Sequence, residues 1–166
     1  VFWGCSSLTS VTLPTGLTSI SEYLFIWCTS LTSITIPGGV TAIGASAFKN
    51  CAALTAIDLP SGVTAISDST FEGCEKLTSV TIPGGVTAIG ASAFKNCAAL
   101  TAIDLPSGVT AISDSTFEGC EKLTSVTIPG GVTAIGASAF KNCAALTAID
   151  LPSGVTAISD STFEGC

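Results

Sequence analysis

Eight cysteines, at Cys5, Cys28, Cys51, Cys74, Cys97, Cys120, Cys143 and Cys166, stand 23 residues apart without exception. The seven prolines from Pro14 to Pro152 and the eight phenylalanines from Phe2 to Phe163 keep the same interval. A strict short period restricts a chain to repeat architectures, in which each unit packs only on its neighbours. A second period lies on top of the first. Thr35–Val80 recurs letter for letter as Thr81–Val126, and Thr127–Cys166 begins a third copy. Each 46-residue module therefore joins two coils, one ending in Phe-Lys-Asn-Cys (48–51) and one in Phe-Glu-Gly-Cys (71–74). We call these the lysine coil and the glutamate coil. The chain reads as a single solenoid over 1–166, with irregular coils up to about residue 34 and modules at 35–80, 81–126 and 127–166.

Within the glutamate coil Leu54–Cys74, the spacing of Leu54, Ile57 and Leu59 predicts a short strand with one buried face. Pro60 ends it, and Pro-Ser-Gly is turn chemistry. Val63 and Ile66 bring a second extended segment back to the core. Ser67 is then expected to cap a brief helical turn carrying Phe71 and Cys74, with Asp68 in its first turn, where the helix dipole favours an anion. The lysine coil has Gly44 in the place of Ser67, a weaker cap. One coil has too few apolar side chains to offset the ordering of its backbone, so only stacking makes the unit stable.

These residues resemble the BspA-like, or treponemal-type, leucine-rich repeats, whose unit is roughly L-x-x-I-x-L-P-x-x-[LV]-x-x-I-[GS]-x-x-[AT]-F-x-x-C. Leu54, Ile57, Leu59, Pro60, Val63, Ile66, Phe71 and Cys74 match it, as do their equivalents in the other coils. The resemblance implies an α/β solenoid with 23-residue coils, short parallel strands on one face, and short helical turns or extended segments on the other. It also implies a cell-surface or secreted protein, often an adhesin for host matrix, other cells or glycans. It carries over no binding residue, because repeat folds host many partners.

Composition narrows the function classes. Five lysines, no arginine and twelve carboxylates give a net charge of −7, which repels phosphate backbones and makes nucleic acid an unfitting partner. Thr, Ser, Gly and Pro interrupt every apolar run, so no segment is expected to insert in a membrane. The chain opens on Val1 with no leader pattern, and its compartment is not written in these residues. Without histidine or a nucleotide-binding or nucleophile-elbow motif, the residues point away from an enzyme, and no cofactor is implied.

The remaining candidates are columns, since stacking puts residue n beside n+23. The cysteine column is expected to be buried, each thiol packing as a small hydrophobe, with Cys5 and Cys166 the most accessible. Disulfides between adjacent coils remain open on spacing, whereas zinc lacks a C-x-x-C pair and any histidine. On the strand face, Asp58, Asp104 and Asp150 form an acidic column, two coils apart and so about 10 Å by strand spacing, too far for one ion to bridge. Threonine columns at 41, 64, 87, 110 and at 32, 55, 78, 101 look like ice-binding arrays. Alternation of Ser-Val-Thr with Ala-Ile-Asp breaks the face such binding needs. At the turn edge, Lys49, Glu72, Lys95, Glu118, Lys141 and Glu164 should form one column of alternating sign, a register mark that disfavours a one-coil slip.

The first coils depart from the pattern. Trp3 and Ile26 stand where later coils carry Lys49 or Glu72, and Tyr23 and Trp27 where later coils carry Ser, Asn or Gly. This cluster is expected on the convex side, as a contact for a preceding segment, a partner-binding patch, or plain drift. Neither end looks capped: Phe2, Leu8, Val11 and Leu13 are expected bare at the start, and Leu146, Ile149, Leu151, Val155 and Phe163 at the finish. Such ends fit continuation of the protein on both sides or head-to-tail stacking. The sequence thus supports an adhesion or display scaffold for a protein or glycan. An engineered or consensus array without a natural ligand, and a self-assembling segment, are the alternatives.

Overall fold

The computed structural model describes residues 1–166 as one stack of coils. Eleven short strands form: β1 (Ser19–Ile20), β2 (Ala42–Ile43), β3 (Ala56–Asp58), β4 (Ala65–Ile66), β5 (Ser79–Thr81), β6 (Ala88–Ile89), β7 (Ala102–Asp104), β8 (Ala111–Ile112), β9 (Ser125–Thr127), β10 (Ala134–Ile135) and β11 (Ala157–Ile158). Every pairing is parallel and sets residue n against n+23, as in Ile57 opposite Val80 and Ile103 opposite Val126.

Burial follows the columns read from the sequence. Phe25, Phe48, Phe71, Phe94, Phe117 and Phe140 are fully buried, as are Leu31, Leu54, Leu77, Leu100 and Leu123. The rings of all eight phenylalanines stack, with centroids 5.2–5.7 Å apart along the column. Offset stacking of this kind adds about 0.5–1.5 kcal/mol per pair beyond area burial. Of the apolar residues expected bare at the ends, only Leu151 is exposed, at 37%. Leu146 is buried, and Phe2, Leu8, Val11, Leu13, Ile149, Val155 and Phe163 are half-buried, because a terminal coil still packs on its one neighbour.

The expected helical turn does not form; the chain has no helix. Residues 67–74 instead run as linked tight turns in which alternate amides face different ways. Thr70, Glu72 and Cys74 donate to the carbonyls of Ser67, Ser69 and Phe71 three residues back. Ser69, Phe71 and Gly73 donate to Ala91, Ala93 and Lys95 of the next coil, at 2.8–2.9 Å. A helix would turn every amide onto its own fourth-preceding carbonyl and leave the coils unjoined at this edge. The alternation needs left-handed backbone at Ser69 (φ 53°) and Gly73 (φ 72°), and at Ser46 (φ 54°) and Asn50 (φ 59°) in the lysine coil. Ser67 and Asp68 therefore cap no helix. The Ser67 hydroxyl donates to the Ile43 carbonyl of the preceding coil at 2.8 Å, and Asp68 Oδ1 accepts from the Ala91 amide of the following one at 2.8 Å.

The steps between coils come in two kinds. From a glutamate coil to a lysine coil, both strand columns pair: β3 with β5 and β4 with β6, then β7 with β9 and β8 with β10. From a lysine coil to a glutamate coil, the strand face does not pair: β5 and β7 share no sheet, and the same break recurs between 33–35 and 56–58 and between 125–127 and 148–150. The phenylalanine rings carry the same rhythm, lying within 5–8° of parallel at the second kind of step and tilted 16–18° at the first, between modules.

Candidate binding surfaces

Each unpaired step opens a groove on the strand face. The first is lined by 34–36 and 56–58, the second by 79–82 and 102–104, and the third by 124–128 and 148–150, with volumes of about 160, 310 and 410 Å³. A groove floor is apolar: Val80 and Ile82 are half-buried, while the paired Ile57 and Leu59 are buried. The smallest groove has Ile34 where the others have Val80 and Val126, and the extra methylene fills part of the space. That step also keeps one backbone bond, from the Thr55 amide to the Thr32 carbonyl at 3.3 Å, which the later grooves lack.

The acidic column lies on these rims. Asp58 accepts from the Thr81 hydroxyl at 2.6 Å, and Asp104 from Thr127 at 2.7 Å. Each carboxylate is thus drawn onto the next lysine coil, across the paired step and away from the groove behind it. Sequence reasoning compared Asp58 only with Asp104, two coils off, although the n+23 rule already places Thr81 beside it. The threonine columns serve the same end, their hydroxyls donating to carbonyls one coil back, as Thr78 does to Thr55 at 3.0 Å. No three Cys, Asp or Glu side chains come together to hold a metal ion, and no helix is long and apolar enough to cross a membrane.

At the turn edge, the charge column resolves into separate pairs. Lys49 meets Glu72 at 2.8 Å, Lys95 meets Glu118 at 2.9 Å and Lys141 meets Glu164 at 3.0 Å, all across lysine-to-glutamate steps. No ion pair joins Glu72 to Lys95 or Glu118 to Lys141, so the column of alternating sign pairs at every second step only. At the intervening step Gly90 lies hard on the preceding coil, where an added Cβ would come within 2.6 Å of the Asp68 amide nitrogen. Burial works against the charge of Glu118, but hydrogen bonds from Lys95 and Ser115, with the Lys95 charge, hold its carboxyl below the usual range. Gly73 faces Asn50 Oδ1 so closely that a Cβ would collide with it, and Gly119 and Gly165 meet Asn96 and Asn142 alike. The swap of Asn for Gly between coils is thus as steric as the swap of Lys for Glu is electrostatic.

Cys28, Cys51, Cys74, Cys97, Cys120 and Cys143 are buried free thiols, and Cys5 and Cys166 are exposed. Each buried Sγ donates to the phenylalanine carbonyl 26 residues earlier, for example Cys51 to Phe25 and Cys97 to Phe71, at 3.2 Å. Burial, more than the neighbouring thiols, pushes Cys51 and Cys143 up to about 12 and Cys74 and Cys97 well above the ordinary thiol range. These sulfurs are structural hydrophobes with a weak donor and no nucleophilic character.

The aromatic cluster is on the surface, with one correction. Trp3, Tyr23 and Trp27 are exposed, and the Trp3 and Tyr23 rings lie 5.8 Å apart at 33°. Ile26 is buried at 6 % exposure and presents nothing to a partner. An aliphatic side chain in that column folds onto the core edge, where Lys49 and Glu72 must reach out to each other.

The repeat model described as the BspA type leucine rich repeat region matches the chain in six copies, over residues 1–123 and 41–166. A leucine-rich repeat protein of T. pallidum is 35% identical over 87% of this chain and 68% of its own length, with a TM-score of 0.82. One from Eubacterium ventriosum ATCC 27560 is 32% identical over 95% of this chain and 42% of its own, with a TM-score of 0.80. The pneumococcal vaccine antigen PcpA shares the fold at 16% identity and a TM-score of 0.58, over 92% of this chain and 40% of its own. The chain thus spans less than half the length of the last two. No curated protein matches it. Repeats of this kind are stacked scaffolds. With its 23-residue coils, stacked phenylalanines and buried cysteine column, the chain belongs to the BspA-type leucine-rich repeat family.

Proposed function

We propose that the chain is a non-enzymatic adhesion segment of a cell-surface or secreted protein, presenting its strand face to a protein or glycan. The observation that carries this reading is the groove array. An apolar floor of Val and Ile, flanked by polar residues including Thr and Asp, recurs at every second coil. A ligand bridging two grooves would gain avidity from weak individual contacts, provided it spans their separation. Family membership supports the surface location.

The test is a solid-phase screen of the chain against matrix proteins and glycans, repeated with Ala102→Arg and Ser79→Arg. Both side chains are exposed on groove walls, so the substitutions should spare the fold. Saturable binding that these variants abolish supports the reading. No binding above background, or binding indifferent to both variants, refutes it.

A further inference from the structure

Trp3, Tyr23 and Trp27 are the exposed aromatic side chains of the molecule, at 66%, 42% and 50% exposure. Packing on neighbouring coils accounts poorly for Trp27. Trp27 is not a terminal residue of the stack: Gly4 precedes it in its column and Asn50 follows it. Its own amide donates to Lys49 of the following coil at 2.9 Å. Its indole is half exposed all the same. Tyr23 (φ 57°) and Trp27 (φ 62°) also hold left-handed backbone, where the other coils place Ser, Asn or Gly. That conformation costs roughly 1–2 kcal/mol for a side chain of this size. Two bulky rings in strained positions, with their faces in water, add nothing to the stack.

The surroundings indicate which chemistry the rings suit. A protein hot spot sits in a contiguous apolar patch from which water is excluded. Here the apolar residue between the aromatics, Ile26, is turned inward. The flanking residues Ser6, Ser7 and Glu22 are exposed and Thr29 and Ser30 half-buried. Exposed ring faces among hydroxyls and a carboxylate fit a sugar. The C–H face of a pyranose packs on an aromatic ring, while its hydroxyls exchange hydrogen bonds with nearby polar groups. Trp3 and Tyr23, in contact at 5.8 Å and tilted by 33°, offer a joint surface to a chain that twists along its length. The net charge of −7, with no arginine, disfavours acidic sugars.

We propose that Trp3, Tyr23 and Trp27 form a platform for a neutral pyranose chain, apart from the strand-face grooves. This rests on the binding role proposed above, and names a second site for it. Both tryptophans of the protein lie in the platform, so its intrinsic fluorescence reports on this site alone. The whole chain is titrated with maltohexaose, cellohexaose and N-acetylchitohexaose, following tryptophan emission and binding heat. The variants are Trp27→Asn and Tyr23→Ser, which install the residues that other coils carry in those columns and so preserve the fold. A saturable emission change with at least one sugar is expected, weakened roughly tenfold or more in either variant and unchanged in Ala102→Arg. No saturable change with any of the three overturns the platform, as does sugar binding that survives both variants. Trp27-dependent binding of a protein without sugar binding reassigns the patch and overturns the proposal too. Loss of sugar binding in Ala102→Arg would move the site to the strand face, which refutes the platform and leaves the groove reading standing.

Discussion

At a step from glutamate coil to lysine coil, backbone does the joining. Both strand columns pair, Gly90 lies against the preceding backbone, and Asp58 and Asp68 reach forward to Thr81 and the Ala91 amide. At a step from lysine coil to glutamate coil, side chains take over on the strand face, although β10 and β11 still pair at the last such step. Lys95 meets Glu118, Asn96 packs on Gly119, and the Ser113 hydroxyl reaches the Ile89 carbonyl at 2.7 Å in the place of a paired strand. The turn-edge ladder, the phenylalanine column and the thiol-to-carbonyl bonds of the cysteines are common to both. The first kind of step is closed, whereas the second opens on the strand face and supplies the grooves. This teaches that a letter-perfect 46-residue repeat need not have equivalent halves. The module is the unit because two unlike interfaces must alternate.

The comparison can be broken in order of severity. Phe94→Ala removes a ring stacked on both neighbours, and should cost about 3–5 kcal/mol in denaturant unfolding because it strikes both kinds of step at once. Gly90→Ala, which drives a Cβ into fixed backbone, should cost about 2–3 kcal/mol. Gly73→Ala meets a side-chain tip and a positive φ, so about 1–2 kcal/mol is expected. Adding Asn50→Ala should recover part of the second loss and none of the first. Equal losses at Gly90 and Gly73 would erase the distinction.

Charge effects are smaller. Lys95→Glu, which faces Glu118 with a like charge, should cost about 0.5–1 kcal/mol at low salt and almost nothing at high salt. The pair also has a signed pH dependence. The folded-state pKa of Glu118 is lowered, so its contribution is present above the ordinary carboxylate pKa and fades as pH falls through the lower folded value. Lys95→Gln should remove that part of the acid-side loss, read as thermal midpoints from neutral pH downwards. Smallest is Val80→Ile, which copies Ile34 and should narrow the second groove at a gain of up to about 0.8 kcal/mol.

Much of this was legible from the period alone. The interval of 23 fixes which residues are neighbours, so the buried Phe and Cys columns and the parallel register follow directly from it. The turn edge was misread because Ser67-Asp68 has the look of a helix start. Local capping preference yields when alternate amides can bond to an adjacent coil, an option invisible within one repeat. The grooves were hidden for a related reason: spacing says that Thr81 and Asp104 are stacked, not whether their strands bond. The signal was present in Asp58 and Thr81, whose complementary side chains pull one step closed. Ile26 shows the same limit, since a column position fixes a side chain's neighbours and not whether it turns inward.

Native-state hydrogen exchange, resolved by residue, puts the alternation to the most direct test. Strand-face amides donated across glutamate-to-lysine steps, those of Leu59, Thr78, Leu105 and Thr124, have partners at 2.9–3.3 Å. Their counterparts at the opposite step, Ile82, Thr101, Ile128 and Thr147, donate to no backbone carbonyl. Turn-edge amides such as Ser69, Phe71, Ser92 and Phe94 are bonded at every step. The expected protection therefore repeats every 46 residues on the strand face and every 23 at the turn edge. Protection with a 23-residue rhythm on both faces would mean that all steps pair alike, and the two-interface account would be wrong.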